Sequence, residues 1–153
     1  MSPGVVVLVV AVVAALAFGT WRALTDGRFR GTRVVRRAQQ PVDDAPPAPE
    51  VASVLDGTAW ATGLGDRATL LQFSSAFCAP CRATRRVLTD VAGIVPGVTH
   101  IEVDAEQHLD LVRRLGVLRT PTTLVLDAAG HEVSRAAGAP SKQAVIASLG
   151  VLA

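Results

Sequence analysis

The sequence predicts an α/β domain carried behind an N-terminal membrane-spanning helix and a linker. Three observations lead there. Residues 1–21 contain no charged side chain. From Val51 onward, short apolar runs of strand length alternate with stretches of helical periodicity. Between the first such strand and the helix after it stand the two cysteines of the 153-residue chain, Cys78 and Cys81. Strands alternating with helices imply a central, mostly parallel sheet covered on both faces. The expected organisation is an anchor at 1–24, a linker at 25–50 and a globular domain at 51–153.

Gly4 to Trp21 forms an apolar stretch that, as a helix at ~1.5 Å per residue, spans about 27 Å, close to the ~30 Å hydrocarbon core. Trp21 stands where an interfacial aromatic belongs. A cleaved signal peptide is the rival, since Ala14–Ala17 offers small residues. A signal peptide carries positive charge before its apolar run, whereas here the arginines (Arg22, Arg28, Arg30, Arg33, Arg36, Arg37) follow it. The positive-inside rule keeps that flank in the cytoplasm. The expectation is therefore a single-pass protein of the cell membrane, held through residues 4–21, with a cytoplasmic domain; an extracytoplasmic domain is the alternative. The linker begins basic and ends in the proline-rich QQPVDDAPPAPE, with little to bury.

Within the domain, Ala68–Phe73 suits a central strand. Thr84, Val87, Leu88 and Val91 then give a helix with one buried stripe, ended by Gly93 and Pro96. Val98–Asp104 alternates as a second strand. Glu106–Leu115 reads as a helix turning Leu111, Val112 and Leu115 inward, with Gly116 as its stop. Thr122–Asp127 is a third strand, and DAAG turns the chain into an antiparallel partner from His131. Ser141 can cap a last helix with Val145, Ile146 and Leu149 on its apolar side. The stretch from Val51 to Asp66 is ambiguous between a short helix and an edge strand.

Two thiols at this spacing can bind a metal, staple a turn or exchange electrons. Residues 51–153 carry eight Arg and Lys142 against nine acids, a balance that lacks the basic field of a nucleic-acid binder. A structural zinc site needs four ligands, and His100, His108 and His131 lack the spacing to supply them, so no metal site is expected. A disulfide closing so small a loop constrains the unfolded chain little. A Cys-X-X-Cys pair within a βαβ pattern points to redox exchange. At a helix start, unpaired N–H groups and the helix dipole favour thiolate. Cys78 is thus the expected nucleophile and Cys81, one turn in, the buried resolving thiol. Pro80 fits the first turn, where its missing N–H costs nothing. Arg82, Arg85 and Arg86 place positive charge nearby, with a plain solvated face as the alternative for Arg85 and Arg86.

LLQFSSAFCAPCRATRRVL resembles the active-site strand, turn and helix of thioredoxins. LRTPTTLVLD, with Thr120 before Pro121, resembles that family's cis-proline loop, and AAGAPSKQAVIASLG, with Gly138, its last turn and helix. The resemblance covers roughly residues 65–150. It implies a thioredoxin fold with a mixed sheet, and a substrate groove built from Phe77, Ala79, Pro80, Thr120 and Pro121. It implies a protein-disulfide oxidoreductase of cell redox homeostasis that takes protein disulfides or thiols as substrates. Such an enzyme uses no metal or organic cofactor and is re-reduced by an external electron donor. This sequence departs from the family at several positions. Ala79 replaces the glycine between the cysteines, Phe77 a tryptophan, and Ser74 an aromatic. Gln72 stands in the place of a buried acid that serves the second cysteine, and His100 in that of a neighbouring lysine. Either His100 has taken over proton transfer, or Gln72 and His100 satisfy one another within the sheet. A catalytically weak binding or redox-sensor module for a membrane partner is the alternative function. No Cys-X-X-Cys-His occurs, so haem attachment is not expected.

Overall fold

A computed structural model describes residues 2–31 and 52–152. The proline-rich half of the expected linker lies outside the described residues. The first helix, α1, spans Pro3–Thr25, with Ser2 at its N-cap and a proline in its first turn. From Pro3 to Trp21 its side chains are uncharged, and among the described residues none of the stretch Pro3–Arg22 is buried against the rest of the protein. The stretch is long and apolar enough to cross a membrane, as a signal sequence near an N-terminus also is.

Five strands form one sheet: β1 (Arg30–Gly31), β2 (Ala68–Ser74), β3 (Val98–Asp104), β4 (Thr122–Asp127) and β5 (Glu132–Ala137), in the order β1-β5-β4-β2-β3. β2 and β3 are parallel, joined by α2 (Ala79–Ile94). The other three pairings are antiparallel, so the sheet is mixed rather than mostly parallel. The helix between β3 and β4, α3, spans only Leu109–Arg114. The chain re-enters the sheet at the end where it left, Thr122 standing opposite Phe73, and β4 runs back against β2. Residues 106–108, expected in that helix, are drawn out of it by Asp104. Its carboxylate accepts from the backbone N–H of Glu106 at 2.9 Å and the side chain of Gln107 at 2.8 Å.

Two apolar layers hold the sheet. On one face, Leu71, Phe73, Ile101, Val103, Leu124 and Leu126 pack with Leu55, Leu111 and Val117. On the other, Ala68, Leu70, Val98 and Val125 pack with Leu88 and Val91 of α2 and with Val145 and Leu149 of α4 (Lys142–Leu149). Helices thus cover both faces. Ser141 caps α4, its hydroxyl accepting from Ala144 N–H at 3.2 Å. Ser148 is buried on α4 where Ile146 was expected; Ile146 is 43% exposed. The stripe of α2 is Cys81, Thr84, Leu88 and Val91, and the helix continues through Gly93 to Ile94. Residues 52–66 are neither helix nor strand. They form a run of turns that drops Leu55 into the core and lays Trp60 against it.

The linker expectation changes at one place. Residues 26–31, assigned to it by composition, dock on the sheet. β1 pairs with β5, Gly27 N–H donates to Ala137 O at 2.9 Å, and Phe29 packs on the core layer beneath α2. Asp26 pairs with Arg119. Both partners are well exposed, so the pair contributes about 0–1 kcal/mol. The backbone bonds and Phe29 hold the segment more than the charges do.

Candidate active site

β2 is buried along its whole length. It delivers the chain at Ser74 to a short turn, and Cys78 becomes the N-cap of α2 in an extended conformation. Cys78 and Cys81 are joined by a disulfide, with Cα atoms 5.2 Å apart. Cys78 Sγ accepts a hydrogen bond from Cys81 N–H at 3.1 Å. The sulfur therefore takes the place of a capping oxygen at one of the helix's free N–H groups. Cys81 is 1% exposed, whereas Cys78 is half-buried and Phe77 beside it is fully exposed. Ala79 and Pro80 are exposed on the first turn of α2.

The loop before β4 reaches the same end of the sheet, Thr122 standing opposite Phe73. The Thr120–Pro121 peptide bond is cis. Thr120 Oγ1 lies 3.1 Å from Ser75 Oγ, which ties this loop to the turn that carries Cys78. Thr122 Oγ1 donates back to Arg119 O at 2.7 Å, and Gly138 N–H donates to Pro121 O at 2.8 Å. Gly138 has φ +99°, and a β-carbon there would meet the Asp26 carboxylate at 2.7 Å, so the turn admits no larger residue without rearrangement.

Gln72 is fully buried under α2. Its Nε2 donates to the carbonyl of Cys81 at 3.0 Å. Its Oε1 lies 3.2 Å from His100 Nε2, and His100 Nδ1 lies 3.2 Å from Thr89 Oγ1. An amide oxygen only accepts, so His100 Nε2 carries a proton. In the neutral ring Nδ1 then accepts from Thr89 Oγ1. Burial lowers the pKa of His100 from its ordinary 6.5; Glu102 opposes that shift and Arg85 adds to it. The structure brings His100 and Gln72 together, and among the described residues no hydrogen bond joins His100 to either cysteine. The two side chains satisfy one another, with the amide standing between the imidazole and the second cysteine.

Arg85, expected to add positive charge near the thiols, is committed elsewhere. Its guanidinium holds Glu102 of β3 at 2.6 and 2.8 Å, and Glu102 also accepts from Ser74 Oγ at 2.6 Å. Sequence reasoning missed Ser75 and Glu102. Ser75 lies inside the quoted motif and touches Thr120 only because β2 and β4 are neighbours. Glu102 pairs with Gln72 in the β2–β3 register, so Glu102 and His100 face α2 along one side of β3. Among the described residues, no cluster of three or more His, Cys, Asp or Glu could hold a metal ion.

Comparisons with known proteins converge on this arrangement. The thioredoxin family model matches residues 51–150. Thioredoxin H2-1 of Oryza sativa subsp. japonica is 33% identical over 70 residues, 46% of this chain and 50% of its own length. A thioredoxin of Chlamydia trachomatis is 30% identical over 87 residues, 57% of this chain and 84% of its own. The chain thus spans about half the length of the rice relatives it matches. Among solved structures, a mutant thioredoxin from Halobacterium salinarum superposes with a TM-score of 0.53 at 18% identity, over 57% of this chain and 75% of that one. Fasciola hepatica thioredoxin gives 0.51 at 22%, over 58% and 84%. At such identities these two speak for the fold alone. A cysteine pair at a helix start, a cis-proline loop tied to the same turn and a family model matching residues 51–150 lead to one conclusion: this chain belongs to the thioredoxin family.

Proposed function

We propose that the chain is a membrane-tethered thiol–disulfide oxidoreductase that reduces protein disulfides through Cys78 and Cys81. The observation that carries this reading is the N-cap position of Cys78, whose sulfur already accepts the Cys81 N–H. In the reduced protein the same N–H and the helix dipole favour thiolate at that sulfur. The thiolate attacks one sulfur of a substrate disulfide, that S–S bond breaks, and the leaving thiolate takes a proton. Cys81 then loses its proton and attacks Cys78 Sγ, expelling the second substrate thiol. Two electrons pass to the substrate and leave the Cys78–Cys81 disulfide seen here. An external dithiol donor must return them. Phe77, Ala79, Pro80, Thr120 and Pro121 form the groove in which the substrate strand lies.

The tether is α1. Its length, its lack of a polar face and its exposure support a membrane span. The arginines after it favour a cytoplasmic domain, where reduction is the natural direction. One observation favours a second reading, a catalytically weak binding or sensor module. Gln72 cannot accept the proton of Cys81 near neutral pH. Insulin reduction driven by dithiothreitol separates the two. The oxidoreductase precipitates insulin chains far faster than dithiothreitol alone, and Cys78→Ser abolishes the gain. A wild-type rate equal to the dithiothreitol background leaves the binding module.

A further inference from the structure

The strand registers show which end of the domain receives α1. β2 runs toward Cys78 and ends at Ser74, and Phe73 pairs with Thr122 at the start of β4. Thr122 in turn pairs with Ala137 at the end of β5. The ends of β2 and β5, the start of β4 and the cis-proline loop therefore share one end of the sheet, the end that carries the dithiol. The chain leaving α1 arrives at this same end. Asp26 meets Arg119, the residue before Thr120, and Gly27 N–H and the Arg119 guanidinium both donate to Ala137 O, at 2.9 and 2.8 Å. β1 then runs away from it, Arg30 opposite Arg135 and Gly31 opposite Ser134. The fit at Gly27 is tight. Its φ is +71°, and a β-carbon would lie 2.2 Å from Ala139 O, so only glycine is accommodated there.

This docking changes what the tether does. If residues 25–50 were a free spacer, the domain would roam over roughly 28 Å, at about 5–6 Å times the square root of the residue number. Here the second residue after α1 is already bonded to the domain. The same end also presents two large apolar side chains to the outside, Phe77 at 100% exposure and Leu118 at 95%. An aromatic and a leucine with a short leash to a membrane span suit the headgroup boundary.

We propose that the Asp26–Gly27 clasp holds the Cys78–Cys81 end of the domain at the membrane surface, so that its substrates are protein disulfides lying close to the lipid headgroups. The proposal rests on the tethered-oxidoreductase reading and names its substrate class. The chemistry is the exchange already written, two electrons passing from the dithiol to the client disulfide, with dithiothreitol as donor in the test.

The test uses the full chain reconstituted in phosphatidylcholine/phosphatidylglycerol vesicles. Two lipid-anchored disulfide peptides are compared, one with its disulfide directly after the anchor, the other behind a long Gly/Ser spacer. Soluble insulin is the control. The expected result is reduction of the near disulfide about tenfold or more faster than the far one, the scale that effective concentration sets. Gly27→Val or Phe29→Ala should erase that preference and leave insulin reduction unchanged. Gly27→Val strains the docked turn; Phe29→Ala removes the side chain that packs the segment on the core, leaves the turn unstrained and guards against a folding defect. Equal rates on near and far peptides in the wild type, or a preference that survives both variants, overturn the proposal while leaving the activity intact. A protein that reduces none of the three clients overturns the oxidoreductase reading. One that reduces insulin but does not float with the vesicles overturns the tether and this proposal with it.

Discussion

Replacing Gln72 with aspartate probes the resolving step, because the amide sits at 0% exposure between His100 and the carbonyl of Cys81. Resolution requires a buried thiol to lose its proton, and burial raises a thiol's pKa. A neutral amide cannot take that proton, so the step in the wild type waits on solvent or on the leaving thiolate. Gln72→Asp supplies a carboxylate on the same side of the sheet. The expected gain in the resolving step is about tenfold, below the ~10²–10⁴ of a well-placed general base, since the carboxyl ends one methylene short of the amide. The cost follows from the same burial. Losing the bonds to Cys81 O and His100 costs about 1 kcal/mol each, and the missing methylene about 1 more. Desolvation raises the carboxyl by about 3 units from ~3.9, worth about 4 kcal/mol at ~1.36 per unit. The folded pKa lies above the unfolded one. This last penalty is therefore absent below pH ~4, grows as pH rises and is complete near pH ~7. The assay is single-turnover release of reduced client from a preformed mixed disulfide, by rapid quench across the neutral range, beside urea unfolding at each pH. A folded Gln72→Asp protein with a wild-type rate, together with a slow His100→Ala protein, would refute the argument and make His100 the proton carrier.

His100 has its pKa lowered, so the folded protein resists protonating it. Stability should fall as pH drops below the ordinary 6.5 and level off below the folded value; His100→Gln should flatten that slope in urea midpoints measured between neutral and mildly acidic pH. A fragment starting at residue 52 lacks Phe29, β1 and the Asp26–Arg119 pair. It should fold, yet unfold about 1–3 kcal/mol sooner in urea than one starting at residue 26, on the usual worth of a half-buried aromatic and a few backbone bonds. Equal midpoints would show that the docked segment contributes nothing to stability.

The parts of this fold written in local pattern were readable from sequence. The uncharged run, the stripe of Thr84, Leu88 and Val91 and the serine cap at Ser141 are signals within a few residues of one another. The Cys78–Cys81 pair was readable from its spacing at a helix start, and the cis bond at Pro121 through a family resemblance carried by short motifs. What escaped depends on register and on distant partners. Asp104 withdraws residues 106–108 from a helix that periodicity assigns to them. Gly27 looks like any linker glycine until Ala137 and Ala139 close over it. Ser75 and Thr120 meet across 45 residues, and Arg85 looks solvated until Glu102 arrives from β3. Such contacts leave no mark on a single sequence, because each partner is an ordinary residue in its own neighbourhood.

Trapping decides the central claim, that Cys78 attacks protein disulfides and Cys81 resolves them. Reduced Cys81→Ser and Cys78→Ser proteins, each as the full chain in detergent, are mixed with oxidised insulin and quenched with acid, and the adducts are mapped by mass spectrometry. Cys81→Ser should accumulate a mixed disulfide through Cys78, because the thiol that would release it is gone. Cys78→Ser, whose remaining thiol is 1% exposed, should accumulate none. Adducts formed chiefly through Cys81, or by neither variant, would contradict the account.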